Sequence, residues 1–144
     1  MSRDHRKLRV FHDAHRLTLS IYKNTRAFPR DEWFGIRAQM RRAAVSIPSN
    51  IVEGSARRST REYLNSLNIA RGSAGELAYL IGLARELDYL ALPGSKELAS
   101  ECERLVPQLE ALISSVEVMV AEEARKQGRG PEPKAQSPKP IQRP

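Results

Sequence analysis

A single cysteine, Cys102, and three histidines are all that 144 residues offer as soft metal ligands. One thiol cannot close an intrachain disulfide, and it cannot supply the repeated ligands of a structural zinc site. His12 and His15 are three apart and would share a helix face, but no third ligand is placed beside them by the sequence, so packing on that face is the reading preferred over metal binding. Long apolar runs are missing as well. No stretch approaches the roughly 18 uninterrupted apolar residues of a membrane span, and the polar start "MSRDHRKLRVFHDAHRL" has no apolar core ahead of a small-residue cleavage site. The expectation is a cytoplasmic protein with no membrane association. Aromatics are only 6% of the chain. Phe11, Tyr22, Phe28, Trp33, Phe34 and Tyr63 mostly sit where a helix core or the start of a helix would use them, so an exposed stacking platform is not expected.

Catalytic groups are equally thin. Cys102 lies in a regular apolar seam with no histidine placed beside it. "ARGSAGEL" lacks the spacing of a phosphate loop, its lysine and the strand that should precede it. Glu53 and Glu76 are carboxylates without a metal set or a cleft. The chain is therefore read as a non-enzyme without a cofactor.

What is present is charge, unevenly placed. The formal total of +7 divides into +9 over residues 1–61, −6 over 62–125 and +4 over 126–144. Such a division could steer nucleic acid to the first half, or fit the first half of one copy to the second half of another.

The apolar pattern has the period of helices throughout. Leu8, Phe11, His15, Leu19 and Tyr22 form one stripe beside Val10, Ala14, Leu17 and Ile21, giving a first helix from about Leu8 to Arg26 with a broad buried face. Pro29 ends that segment, and Asp31 is the expected cap of the next. Ile36, Met40, Ala43, Ile47 and Ile51 make a second helix whose apolar phase runs unbroken past Pro48. Proline removes an N–H and crowds the carbonyl of Ala44, so a kinked but continuous helix is expected, stopped by Gly54 in a left-handed conformation. Ser59 and Glu62 have capping-box spacing for a third helix from Thr60 to about Leu90. Ser95 is then the expected cap of a fourth, with Leu98, Cys102, Leu105, Leu109, Leu112, Val116 and Met119 as its seam and Pro107 expected to bend or divide it. The fold predicted is all-α, an up-and-down four-helix bundle with a kinked second helix. Its boundaries are a flexible N terminus at 1–7, the bundle at 8–124, and a disordered basic Pro-rich tail at 125–144, "RKQGRGPEPKAQSPKPIQRP".

Two groups of residues stand out within this frame. Arg37, Arg41 and Arg42 on the second helix, with Arg57, Arg58 and Arg61 after its end, could contact several backbone phosphates and are the candidate nucleic-acid contacts. Pairing with acids on another subunit is the alternative. Ser46, Asn50 and Glu53, at steps of four and three beside Pro48, are read as a structural polar network that could include Glu76. Gly72, Ser73, Ala74 and Gly75 form a low-profile strip suited to close approach of another helix backbone.

Residues 28–90 resemble the 23S ribosomal RNA intervening-sequence protein family, and the likeness extends more weakly over about Leu8 to Glu123. The motif around the kink is carried by Gln39, Arg41, Arg42, Ala43, Ala44, Ser46, Ile47, Pro48, Asn50, Ile51, Glu53 and Gly54, and a later one by Ala70, Gly72, Ser73, Glu76 and Leu77. The resemblance implies a four-helix protomer that assembles as a homopentamer, and it implies no enzymatic activity. Some members of the family are encoded within insertions in large-subunit ribosomal RNA genes. The fold is also similar to that of accessory proteins of diversity-generating retroelements, basic pentameric barrels that bind nucleic acid and a reverse transcriptase. The functional expectation is a non-catalytic oligomeric scaffold that binds RNA or DNA. The alternative is a protein-interaction adaptor with an unidentified protein partner, its basic half serving assembly.

Overall fold

The computed structural model describes residues 3–128, and it contains four helices: α1 (Arg9–Asn24), α2 (Ile36–Ser55), α3 (Thr60–Glu86) and α4 (Leu92–Lys126). Short 3-10 turns at His5–Lys7 and Arg30–Glu32 precede α1 and α2. Each helix packs on the next and α4 returns to α1, so the four make a closed square. Contacts at the two ends fix the alternating directions. At one end Asn24 lies against Gly94, and the Tyr89 hydroxyl donates to Glu32 at 3.4 Å. At the other, Arg3 donates to the Arg57 carbonyl at 2.7 Å and to Thr60 Oγ1 at 2.6 Å, and Thr60 donates to Glu123 at 2.8 Å. The described part of the N-terminal segment expected to be flexible is thus tied to the α2–α3 connection. Residues 129–144, most of the tail expected to be disordered, lie outside the described residues.

In α3 the residues Leu67, Ala70, Ala74, Leu77, Ile81 and Ala84, at steps of three and four, form one stripe that is buried as a set. In α1 the Val10, Ala14, Leu17 and Ile21 stripe is buried, Leu8 and Phe11 pack partly buried beside it, and Leu19 and Tyr22 face outward. In α4, Ile113 takes the buried place expected for Leu112.

Helix boundaries show where local chemistry was misjudged. The Ser59–Glu62 capping box is present at the start of α3. The α3 end comes four residues earlier than the apolar phase suggests, because Asp88 adopts a left-handed conformation (φ 60°) and the Tyr89 N–H reaches back to the Ala84 carbonyl at 2.9 Å. Asp31 does not cap α2. Glu32 does part of that work, accepting from the Ile36 N–H at 3.3 Å, and Gly35 is the capping residue. Ser95 is not a cap either: α4 begins three residues earlier with Pro93 in its first turn, where a missing N–H costs nothing, and Ser95 is buried with its hydroxyl on the Leu92 carbonyl. Pro107 leaves α4 undivided as a 35-residue helix.

Helix α2 is continuous through Pro48, as the apolar phase predicts. Proline cannot donate to the Ala44 carbonyl, and the hydroxyl of Thr18 on α1 reaches it from outside the helix, sharing its one hydrogen between that oxygen at 3.1 Å and its own Ala14 carbonyl at 2.9 Å. The small residues of α2 matter for packing nearly two turns beyond Pro48. A Cβ on Gly54 would lie 2.7 Å from the Ser66 Cβ and 3.0 Å from the Tyr63 ring. Gly54 is therefore inside α2, not a left-handed stop, and it is the glycine that lets α3 in close. Gly72 and Gly75, read as suited to another helix backbone, meet none within the protomer and face open space there.

Replacing Thr18 by Val should cost about 1 kcal/mol in urea unfolding, since it leaves the Ala44 carbonyl without its donor. In a Pro48→Ala background the restored backbone N–H takes over, so the same change should cost measurably less; equal costs in both backgrounds would disconnect Thr18 from the proline.

Burial in the α3–α4 seam, where its Sγ sits 3.2 Å from the Ala74 carbonyl, pushes the Cys102 thiol from 9.0 up to about 11. The folded state holds this proton more tightly than the unfolded state, so stability should fall as pH rises above 9. A Cys102→Ala variant should lose that part of the pH dependence. Iodoacetamide should label native Cys102 only as denaturant unfolds the bundle, and prompt labelling would mean the seam opens under native conditions.

Candidate nucleic-acid interface

The connection from α1 to α2 is built around buried Phe28, whose ring packs on Tyr89 with centroids 5.6 Å apart. Pro29 holds the chain extended after it. The turn that follows brings Trp33 back, so that its indole N–H donates to the Phe28 carbonyl at 3.1 Å. Trp33 is thereby fixed, half-buried, with its ring available to cations. Arg37 places its guanidinium carbon 4.5 Å from the ring centroid and Arg30 lies at 5.2 Å. Arg41, one turn beyond Arg37, sits 4.5 Å over the Tyr22 ring.

These arginines are held by aromatic faces and backbone, and none of them forms a salt bridge among the described residues. A guanidinium lying on a ring keeps its N–H edges free for oxygen ligands. Arg41 is the most constrained. Its Nε donates to Thr25 Oγ1 at 3.0 Å, and another nitrogen donates to the Tyr22 carbonyl at 3.2 Å, so it also closes the C terminus of α1. Partial burial first, then repulsion from Arg37 and Arg26, lower its pKa, which marks this corner as a concentration of unneutralised positive charge. Arg42 is exposed beside it. A groove of about 500 Å³ runs past Arg41 and Arg42 between Tyr22, Val45, Ser46 and Ser49.

The other three candidate arginines are elsewhere. Arg57, Arg58 and Arg61 are exposed at the opposite end of α2, about 24 Å from Arg41 by the helical rise. Arg57 is ion-paired with Glu53, one turn before it in α2, and its carbonyl holds Arg3. The six residues therefore form two patches, not one strip.

The polar network beside Pro48 is smaller than expected. Asn50 donates to the Ser46 carbonyl at 2.7 Å and to Ser46 Oγ at 3.0 Å, and Ser46 shares a 2.7 Å hydrogen bond with Ser73 of α3. Glu53 points to solvent and Arg57, and Glu76 is exposed on the outer side of α3, so neither joins it. An acid at either position needs no buried partner. Among the described residues there is no group of three histidine, cysteine or acidic side chains that could hold a metal, and no helix is long and apolar enough to cross a membrane.

Phe34 and the roles of Trp33 and Arg30 were missed in the sequence. Phe34 is 96% exposed, so its position ahead of α2 does not make it part of the core. The signal available was the run of two large aromatics in "RDEWFGIR" with an arginine on each side, of which only one ring can pack inward.

The chain matches the family described as 23S rRNA-intervening sequence protein over residues 6–111. Among solved structures it is similar to a crystal structure of a protein of unknown function from the S23 ribosomal protein family of Bacteroides thetaiotaomicron. The two are 22% identical with a TM-score of 0.67, over 73% of this chain and 95% of that chain. A likeness at that identity concerns the fold. No curated protein matches the chain. The family match takes in α1, α2, α3 and more than half of α4, with both the Pro48 helix and the arginine corner inside it, and this chain belongs to the 23S rRNA-intervening sequence protein family.

Proposed function

We propose that this protein is a non-catalytic helical scaffold that self-associates and binds nucleic acid through the phosphate backbone. The observation that carries this reading is the set of guanidiniums at the α1–α2 corner, held on Trp33 and Tyr22 instead of on carboxylates. Their charge is not spent inside the protomer, and several cations fixed within one corner suit a polyanion better than a single small anion. Such contacts read no base sequence. The basic first half and the family both support the reading.

Binding of unrelated RNA and DNA sequences should weaken steeply as salt rises. Replacing both Arg30 and Arg37 by Gln should reduce the slope of log affinity against log salt by roughly 1.4 to 1.8, the two contacts removed. Arg30 and Arg37 are better probes than Arg41, whose loss would also free the end of α1. Absence of binding to either nucleic acid at low salt would sink the proposal.

Self-association is assigned to the outer side of α3, where Ile69 and Tyr79 are exposed with Gly72, Gly75 and Glu76 between them. A strip that faces open space within the protomer can still admit a neighbour's backbone, and a closed homopentamer is the proposed state. Native mass spectrometry over a range of protein concentrations should show it, and Tyr79→Glu should dissociate it without unfolding the bundle. A stable monomer throughout would exclude the assembly.

A second reading, an adaptor for a protein partner, is favoured by the same α3 surface if Tyr79→Glu leaves the oligomer intact. In that reading the partner is bound by the apolar strip, and nucleic acid is incidental.

A further inference from the structure

We infer that the α1–α2 corner takes single-stranded nucleic acid, with Phe34 stacking on an unpaired base while Arg30 and Arg37 hold the adjoining phosphates. This rests on the backbone-binding reading above and specifies its ligand. The argument begins with the different fates of the aromatics in one short segment. Phe28 is buried, and the Trp33 indole is anchored to the backbone with Arg30 and Arg37 over its ring. Phe34, the next residue, is 96% exposed and takes no part in the hydrophobic core. A side chain so exposed contributes almost nothing to folding by burial.

Its surroundings specify what would cover it. Lys23, Arg26, Arg30, Arg37, Arg41 and Arg42 lie on or beside this corner, against Asp31 and Glu32. Glu32 is committed to the Ile36 N–H and to Tyr89, which also removes the start of α2 as a phosphate site and leaves phosphate contacts to the arginine side chains. Trp33 has two guanidiniums over its ring and Tyr22 has one, so Phe34 is the ring in this cationic setting that carries none and is exposed almost in full. Paired bases in a duplex are stacked on one another and closed to a side chain on the outside. Unpaired bases can splay out onto a ring, while their phosphates meet the cations beside it. A protein surface would satisfy the apolar ring but would have to supply carboxylates for an arginine cluster whose charge already exceeds its own acids.

The test uses the full chain and a fluorescein-labelled mixed-sequence RNA, alone and annealed to its complement, at one fixed salt concentration. Phe34→Ala should weaken binding of the single strand about tenfold and leave the duplex within about twofold, and Phe34→Trp should restore the single strand. An RNA carrying 2-aminopurine should show fluorescence quenching with the native protein that Phe34→Ala abolishes. Equal affinity of native and Phe34→Ala protein for the single strand would overturn the inference while leaving backbone binding intact, provided that Arg30→Gln with Arg37→Gln still weakens both RNAs. Loss of the oligomer in Phe34→Ala, read by native mass spectrometry, would also overturn it by placing the ring between copies of the chain. Failure of the native protein to bind any RNA would remove the underlying reading itself.

Discussion

The Ala44 carbonyl is the point on which the arrangement of α1, α2 and α3 turns. Pro48 deprives it of an intrahelical donor, and Thr18 supplies one from α1, so the register of α1 against α2 is set by a hydrogen bond as well as by apolar contact. Nearly three turns beyond Ala44, Gly54 removes the side chain that would hold α3 away. The Ser46–Ser73 bond lies between these two points and ties the opposite side of α2 to α3. A helix with an irregular middle is thus the one that locates its neighbours on both sides. Apolar faces are tolerant of small sliding, whereas a carbonyl needing one donor and a gap one methyl wide are not.

The corner that this arrangement leaves outside holds its charge in a particular way. Arg6, Arg9, Arg16 and Arg57 pair with nearby acids, and such exposed pairs contribute little to stability. At the corner, aromatic rings hold the cations. Arg41 belongs to both worlds, since it closes the last turn of α1 while adding to the local positive field.

Most of the architecture was legible because long apolar periods dominate their own helices. The α3 stripe, the Ser59–Glu62 box and the passage of α2 through Pro48 could all be read from residue spacing. Ends were harder. Asp88 stops α3 in a conformation usually left to glycine, and Glu32 displaces Asp31 at α2, choices made by contacts with Tyr89 that no local pattern contains. The arginines were visible as a cluster in one dimension, but their division between two ends of α2 depends on where that helix begins and stops. Spacing identifies small residues without saying which of them meets a neighbour, and so Gly54 reads as a stop although it is the glycine on which α3 closes.

The Arg3, Thr60 and Glu123 chain of hydrogen bonds joins three segments far apart in sequence, with 57 and 63 residues between successive partners. Helix hairpins close over short loops, but this junction cannot form until α3 and α4 are already laid together. Beneath it, Tyr63 is buried with its hydroxyl unpartnered among the described residues. Opening this end releases that hydroxyl to water and so recovers part of what the junction supplies. Breaking the Arg3–Thr60–Glu123 junction therefore costs less than its hydrogen bonds alone would suggest.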